Sequence, residues 1–224
     1  MKKNMECLAN RNCIIFDLDD TLYSEEEYVK SGFRAVANKY GNPDIGDALI
    51  QLYSDDPRNV FQRFGFSEEQ CKECIKIYRT HMPDISLSDN VKCTLESLKA
   101  NCYKLGIITD GRPISQWNKI IALNVRQYMD QIIVTDELGG EKYRKPSLIA
   151  FETMKSRLKT DFQHMVYVGD NPRKDFYVGS KYPILTIQVL KKGLYAGQEY
   201  YKEIKPDIQI LDVFEILELL NVRV

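Results

Sequence analysis

A parallel α/β sheet with helices on both faces, interrupted early by a small helical insert, is the fold this 224-residue sequence predicts. Three observations carry that expectation. Six short apolar runs alternate with stretches of helical periodicity, the pattern of strands joined by crossover helices. Polar clusters stand where several of those runs stop, as they do along the edge of an open sheet. The interval 24–88 breaks the alternation, because it is helical and holds no strong strand.

Taken in order, CIIF (13–16) is the first predicted strand. Residues 25–40 follow as a helix with Val29, Phe33, Val36 and Tyr40 on one side, and Glu25, Glu26 and Glu27 form a solvated first turn that suits the helix dipole. Further helices are expected over 45–53 and 67–80. Ser88 or Asp89 is placed to cap another that carries Val91, Leu95 and Leu98. Then come the strand KLGIIT (104–109), a helix near 115–123 and the strand QIIVT (131–135). A helix is expected after Pro146, with the proline in its first turn. MVYVG (165–169), a short helix near 174–182, the strands PILTIQV (183–189) and DIQIL (207–211), and a helix near 212–220 close the chain.

Composition limits the function. With 44% hydrophobic and 28% charged residues the chain suits a soluble globular protein, and a net charge of -1 gives no global basic field for a nucleic-acid polymer or an anionic membrane. No stretch reaches the roughly 20 apolar residues a membrane span needs. The basic N-terminus MKKNMECLANRNC has no long apolar segment, so a cytoplasmic location is expected rather than secretion. Of six cysteines, Cys7, Cys93 and Cys102 stand alone and Cys13 opens a strand. Cys71 and Cys74 share an apolar helical stripe with Ile75 and Tyr78, so they are expected to be packing residues. His81 and His164 are expected as surface or partly packed side chains, and Trp117 as core or a domain interface.

Four segments hold the chemistry: FDLDDTLY (16–23), IITDGR (107–112), EKYRKP (141–146) and VGDNPRKD (168–175). Like charges gathered at a strand end repel and resist desolvation, so Asp17, Asp19 and Asp170 at one sheet edge call for a hard cation. Oxygen-only ligation favours Mg2+. Lys145 adds a positive charge, Thr109 a hydroxyl, and the loop after it backbone N–H donors, which together suit a phosphate. Asp17 and Asp19, two residues apart on an extended strand end, point the same way about 6–7 Å apart. One can attack phosphorus while the other moves the leaving oxygen's proton. Arg112, after the phosphate loop, is placed to reach a substrate's polar groups or to lie on the surface.

In order and register, Asp17-Leu18-Asp19-Asp20-Thr21, Thr109-Asp110, Lys145-Pro146 and Gly169-Asp170…Asp175 resemble the four motifs of the haloacid dehalogenase-like (HAD) superfamily. The insert resembles the helical C1 cap of its subfamily I. The resemblance implies a Rossmann-like core over 1–23 and 89–224 and a cap over 24–88 that closes above the sheet's C-terminal edge. It makes Asp17 the nucleophile and a metal ligand. Asp19 becomes the general acid/base with its carbonyl on the metal, and Asp170 the remaining protein ligand. Thr109 and the backbone N–H of Asp110 fall to phosphate binding, with Asp110 where relatives often have asparagine. Gly111 and Arg112 of the same loop are further substrate-binding candidates, Arg112 with a surface role as its alternative. Asp175 and Thr21 are expected in support, with helix capping as the bland alternative for Asp175. The implied activity is that of a magnesium-dependent phosphatase acting on a small phosphorylated metabolite, a sugar phosphate or nucleotide. A phosphoglucomutase-like phosphotransferase and a non-catalytic binding domain are the rivals. Asp19 argues against dehalogenation, which needs no acid for the leaving group.

Overall fold

The computed structural model describes residues 10–190 and 198–222. Cys7 and the basic first residues lie outside that range. In chain order the regular elements are β1 (Cys13–Phe16), α1 (Glu25–Tyr40), α2 (Pro43–Asp55), α3 (Val60–Phe64), α4 (Glu68–Thr80), α5 (Asp89–Ala100), β2 (Lys104–Thr109), α6 (Pro113–Ala122), β3 (Gln131–Val134), α7 (Ile149–Leu158), β4 (Met165–Gly169), β5 (Leu185–Val189), β6 (Ile208–Ile210) and α8 (Glu215–Leu219), joined by short 3-10 turns.

The chain divides into two compact units. The first holds residues up to Tyr23, Leu87–Pro113 and everything from Val125 onward. Its six strands form one sheet in the order β3-β2-β1-β4-β5-β6, with every neighbouring pair parallel. The order runs outward from β1 in one direction and from β4 in the other. The crevice between these two strands is thus the switch point where such sheets bind ligands. β1, β4 and β5 are buried along their whole length. Burial on both faces explains why they read as continuous apolar runs rather than alternating ones. One face packs Cys13, Ile15, Ile108 and Tyr167 against Phe151, Met154 and Leu158 of α7.

The second unit comprises Ser24–Ser86 with Ile114–Asn124. Val29, Phe33 and Val36 recur at helical spacing on α1 and meet Leu49, Val60 and Cys74 in a core of their own. The segment caps are written in the sequence. Asn42 accepts a hydrogen bond from Asp44 N ahead of Pro43, and Ser67 with Gln70 forms a capping box. Cys71 and Cys74 are buried free thiols.

Several boundaries differ from the sequence reading. Most of α6 groups with the second unit, a long-range association that local periodicity does not reveal. The short α3 follows a left-handed Asn59 and is too brief for a periodic signal. No α-helix forms over 174–182. That stretch holds only the 3-10 turn Tyr177–Ser180, since Gly179 and Pro183 interrupt it and Asp175 is committed elsewhere. Pro146 precedes rather than opens α7, which begins at Ile149. No helix among the described residues is long and apolar enough to cross a membrane.

Candidate active site

The sheet register brings three motifs together. Phe16 pairs with Ile107 on one side and Val168 on the other, so Asp17 emerges level with the ends of β2 and β4. Asp17 N donates to Val168 O at 2.8 Å, extending the ladder one residue past β1. Two glycines permit the close approach that follows. A side chain at Gly169 would meet Asp175 Oδ2 at 2.6 Å, and Gly111 adopts φ 140° in the turn after β2.

Lys145 occupies the centre of the first unit's polar cluster. Its side chain is fully buried, with Asp17 Oδ2 at 2.9 Å, Asp175 Oδ1 at 2.8 Å and the Tyr167 hydroxyl at 2.7 Å. Burial alone would push its pKa down, but Asp17, Asp175 and Asp110 outweigh that and raise it, so it remains an ammonium. Tyr167 in turn donates to Asp175 Oδ1 at 3.0 Å, and Asp175 Oδ2 accepts from Asn171 N at 2.8 Å. Asp175 therefore serves the lysine and the turn; there is no helix here for it to cap.

Asp17 and Asp170 differ from Asp175 in having capacity left. Asp17 Oδ2 and Asp170 Oδ2 are buried and accept no hydrogen bond. The Lys145 ammonium at 2.9 Å from Asp17 Oδ2 is a charge contact without hydrogen-bond alignment. One carboxylate oxygen from each of Asp17, Asp170 and Asp175 lies within 4.8 Å of the others. Burial, reinforced by Asp175 and Asp17, raises the Asp170 pKa to about 8. Orphaned carboxylate oxygens cost free energy unless a cation, or in the case of Asp170 a proton, satisfies them. An oxygen-only donor set of this kind could hold Mg2+, and Asp17 and Asp170 are the side chains that would ligate it. Thr21 Oγ1 steadies Asp170 Oδ1 at 3.4 Å, and Gln188 Nε2 holds the Asp170 carbonyl at 3.0 Å.

The remaining expected residues take distinct places. The Asp19 carboxylate is not part of the acidic triple; its Oδ1 accepts from Tyr23 OH at 2.5 Å. Thr109 is fully buried at the end of β2, whereas Arg112 is exposed. Asp110 Oδ1 accepts from Thr135 Oγ1 and from Lys145 N, both at 3.0 Å, and so ties β2 and β3 to the lysine's backbone. Lys30 and Lys39 of α1 sit in exposed ion pairs with Glu26 and Glu73, so neither is a desolvated amine.

Four participants escaped sequence reasoning. Tyr167 and Gln188 lie inside the predicted strands MVYVG and PILTIQV, where a polar group in an apolar run is itself a signal. Tyr23 closes the first segment, FDLDDTLY, two residues after its Asp17–Thr21 motif. Lys174 falls in the fourth segment with no role of its own expected, yet its Nζ lies 3.3 Å from Asp110 Oδ2 and 3.6 Å from Asp17 Oδ2.

Comparison with known proteins bears on the family and the fold. The family model of haloacid dehalogenase-like hydrolases matches residues 14–189. The chain is 29% identical to a glyceraldehyde 3-phosphate phosphatase of Methanocaldococcus jannaschii, over 83% of this chain and 87% of that one. It is 23% identical to the pyrophosphatase PpaX of Halalkalibacterium halodurans, over 95% and 98%. Among solved structures, the HAD-hydrolase YfnB of Bacillus subtilis superposes with a TM-score of 0.69 at 16% identity, over 95% of this chain and 99% of that one. A sheet switch point lined by these motifs, matched by the family model across most of the chain, makes this protein a member of the haloacid dehalogenase-like hydrolases, a phosphoester hydrolase on a Rossmann-like core.

Proposed function

We propose that the protein is a magnesium-dependent phosphatase that works in the cytoplasm on a small phosphorylated metabolite through an aspartyl-phosphate on Asp17. The observation that carries this reading is the pair of buried, unsatisfied oxygens on Asp17 and Asp170 beside a sealed ammonium. Ionised, Asp17, Asp110, Asp170 and Asp175 exceed Lys145 and Lys174 by two negative charges, an excess suited to a divalent ion. When bound, Mg2+ would supply Lewis-acid charge stabilisation for the phosphoryl oxygens.

The chain's own groups account for the rest. Lys145 holds Asp17 Oδ2 in place and lowers the cost of its charge. Leu18 N donates to Asp17 Oδ1 at 2.8 Å, fixing the carboxylate's rotation for in-line attack. Tyr23 orients Asp19, which protonates the leaving alkoxide and then draws a proton from the water that hydrolyses the acyl phosphate. Thr109 and the amides after β2 bind the phosphoryl oxygens. Ser24–Ser86 with its own core is the unit to which we assign substrate selection as a cap. The relatives' names favour a phosphorylated triose or a comparable small metabolite over a polymer. Free thiols at Cys13, Cys71 and Cys74 fit a reducing compartment.

A phosphotransferase would share every one of these groups and differ only in the acceptor. Release of inorganic phosphate across a panel of small phosphate esters, with Mg2+, with chelator and with Asp17→Asn, separates the readings. Phosphate release that stops with the chelator and with the variant supports a metal-dependent phosphatase. Activity that survives both refutes the mechanism, and transfer to a sugar hydroxyl without phosphate release favours the mutase.

A further inference from the structure

Two ammonium groups face the nucleophile, and they are not equivalent. Lys145 has three N–H donors and three oxygens at 2.7–2.9 Å around it: Asp17 Oδ2, Asp175 Oδ1 and the Tyr167 hydroxyl. Its side chain is 0% exposed. These contacts hold it away from solvent, the one to Asp17 Oδ2 without hydrogen-bond alignment. Lys174 comes from the turn after β4. Its Nζ has two looser contacts, Asp110 Oδ2 at 3.3 Å and Asp17 Oδ2 at 3.6 Å. Its side chain is 26% exposed, so it reaches solvent where Lys145 does not.

Asp110 explains why that lysine stays there. One of its oxygens is fully used by Thr135 Oγ1 and Lys145 N. The other points at Lys174. A carboxylate beside a phosphate site repels the substrate unless a cation offsets it, and an asparagine here would need no such partner.

We propose that Lys174 donates a direct hydrogen bond to the transferred phosphoryl group, with Asp110 as the positioning residue that anchors it. The proposal rests on the phosphatase reading above and adds a second, solvent-reaching lysine to it. Lys174 then acts on the substrate beside the buried Lys145. The ammonium moves from its loose bridge between the Asp110 and Asp17 carboxylates onto a phosphoryl oxygen, and no proton changes hands.

The test uses orthophosphate as the probe, titrated calorimetrically into the full chain with Mg2+, beside kcat/KM for a small phosphate ester. For Lys174→Met, orthophosphate affinity and kcat/KM are each expected to fall about 10- to 100-fold, the loss of one charge-assisted hydrogen bond. Lys174→Arg is expected to stay within about tenfold of the parent. In Asp110→Asn/Lys174→Met the uncompensated carboxylate is gone, so orthophosphate should bind more tightly than to Lys174→Met alone. Unchanged orthophosphate affinity in Lys174→Met overturns the proposal. Equal affinities in those two variants overturn the claim that Lys174 offsets the Asp110 charge, and parental affinity in Asp110→Asn alone overturns the anchoring role of Asp110. Should Lys174→Met lose its circular dichroism, Lys174→Gln replaces it with the same criteria. Asp17→Asn is measured alongside: turnover at the parental rate in that variant sinks the aspartyl-phosphate reading, while orthophosphate affinity still decides Lys174.

Discussion

Replacing Lys145 with methionine removes the one fully buried cation among Asp17, Asp175 and Tyr167. The shape is nearly kept and the charge is lost. Asp175 retains Tyr167 OH at 3.0 Å and Asn171 N at 2.8 Å, so it is not stranded. Asp17 Oδ2 is left with only Lys174 at 3.6 Å. The penalty therefore falls on Asp17, and breaking a buried pair from one side costs about 3–5 kcal/mol. Equilibrium urea unfolding in metal-free buffer measures it. The sole tryptophan, Trp117, belongs to the second unit, so its fluorescence reports on the wrong part of the chain. Circular dichroism, or hydrogen exchange of the β1 and β4 amides, follows the sheet instead. Adding Asp17→Asn to Lys145→Met removes the stranded charge and is expected to recover about half the loss or more. A Lys145→Met protein within about 1 kcal/mol of the parent would refute the argument that this lysine neutralises the nucleophile.

Other expectations follow from the same cluster. The Asp170 pKa is raised to about 8, against an unfolded value near 3.9, so the metal-free folded protein keeps a proton that the unfolded chain has released. Its contribution to stability is therefore present in acid and is lost as pH rises through that window. Mg2+ needs the ionised form, so its affinity should rise between pH 6 and 8 with proton release. Calorimetry in buffers of different ionisation enthalpy checks this, and a pH-independent affinity would contradict it. Tyr167→Phe deletes one link between Lys145 and Asp175; a loss of about 1–3 kcal/mol in urea unfolding and a lower kcat are expected. Phe33→Ala empties the second unit's core, where Phe33 meets Tyr53 and Phe61 edge-on, and should cost about 3–5 kcal/mol, read by Trp117 fluorescence.

The strands were legible because a buried parallel strand leaves little room for polar residues, so CIIF and MVYVG declare themselves. The acidic motifs were legible because carboxylates gathered at buried strand ends are costly, so folding alone would not put them there. What the sequence hides is the second layer. Tyr167 satisfies the strand pattern with its ring and serves the site with its hydroxyl, and only the three-dimensional position of Lys145 reveals the latter. Lys174 sits in a charged turn that looks solvated until Asp110 is found opposite. The grouping of α6 with the insert depends on contacts far apart in sequence, such as Asn118 Nδ2 donating to Thr80 O at 3.0 Å.

The central claim is that Asp17 carries the phosphoryl group. Acid quenching during turnover of a radiolabelled phosphate ester, followed by peptide mapping, addresses it directly. The account predicts label on the peptide containing Asp17, discharged by hydroxylamine as an acyl phosphate is, and absent from Asp17→Asn. Label on another residue, or full turnover in that variant, would contradict it.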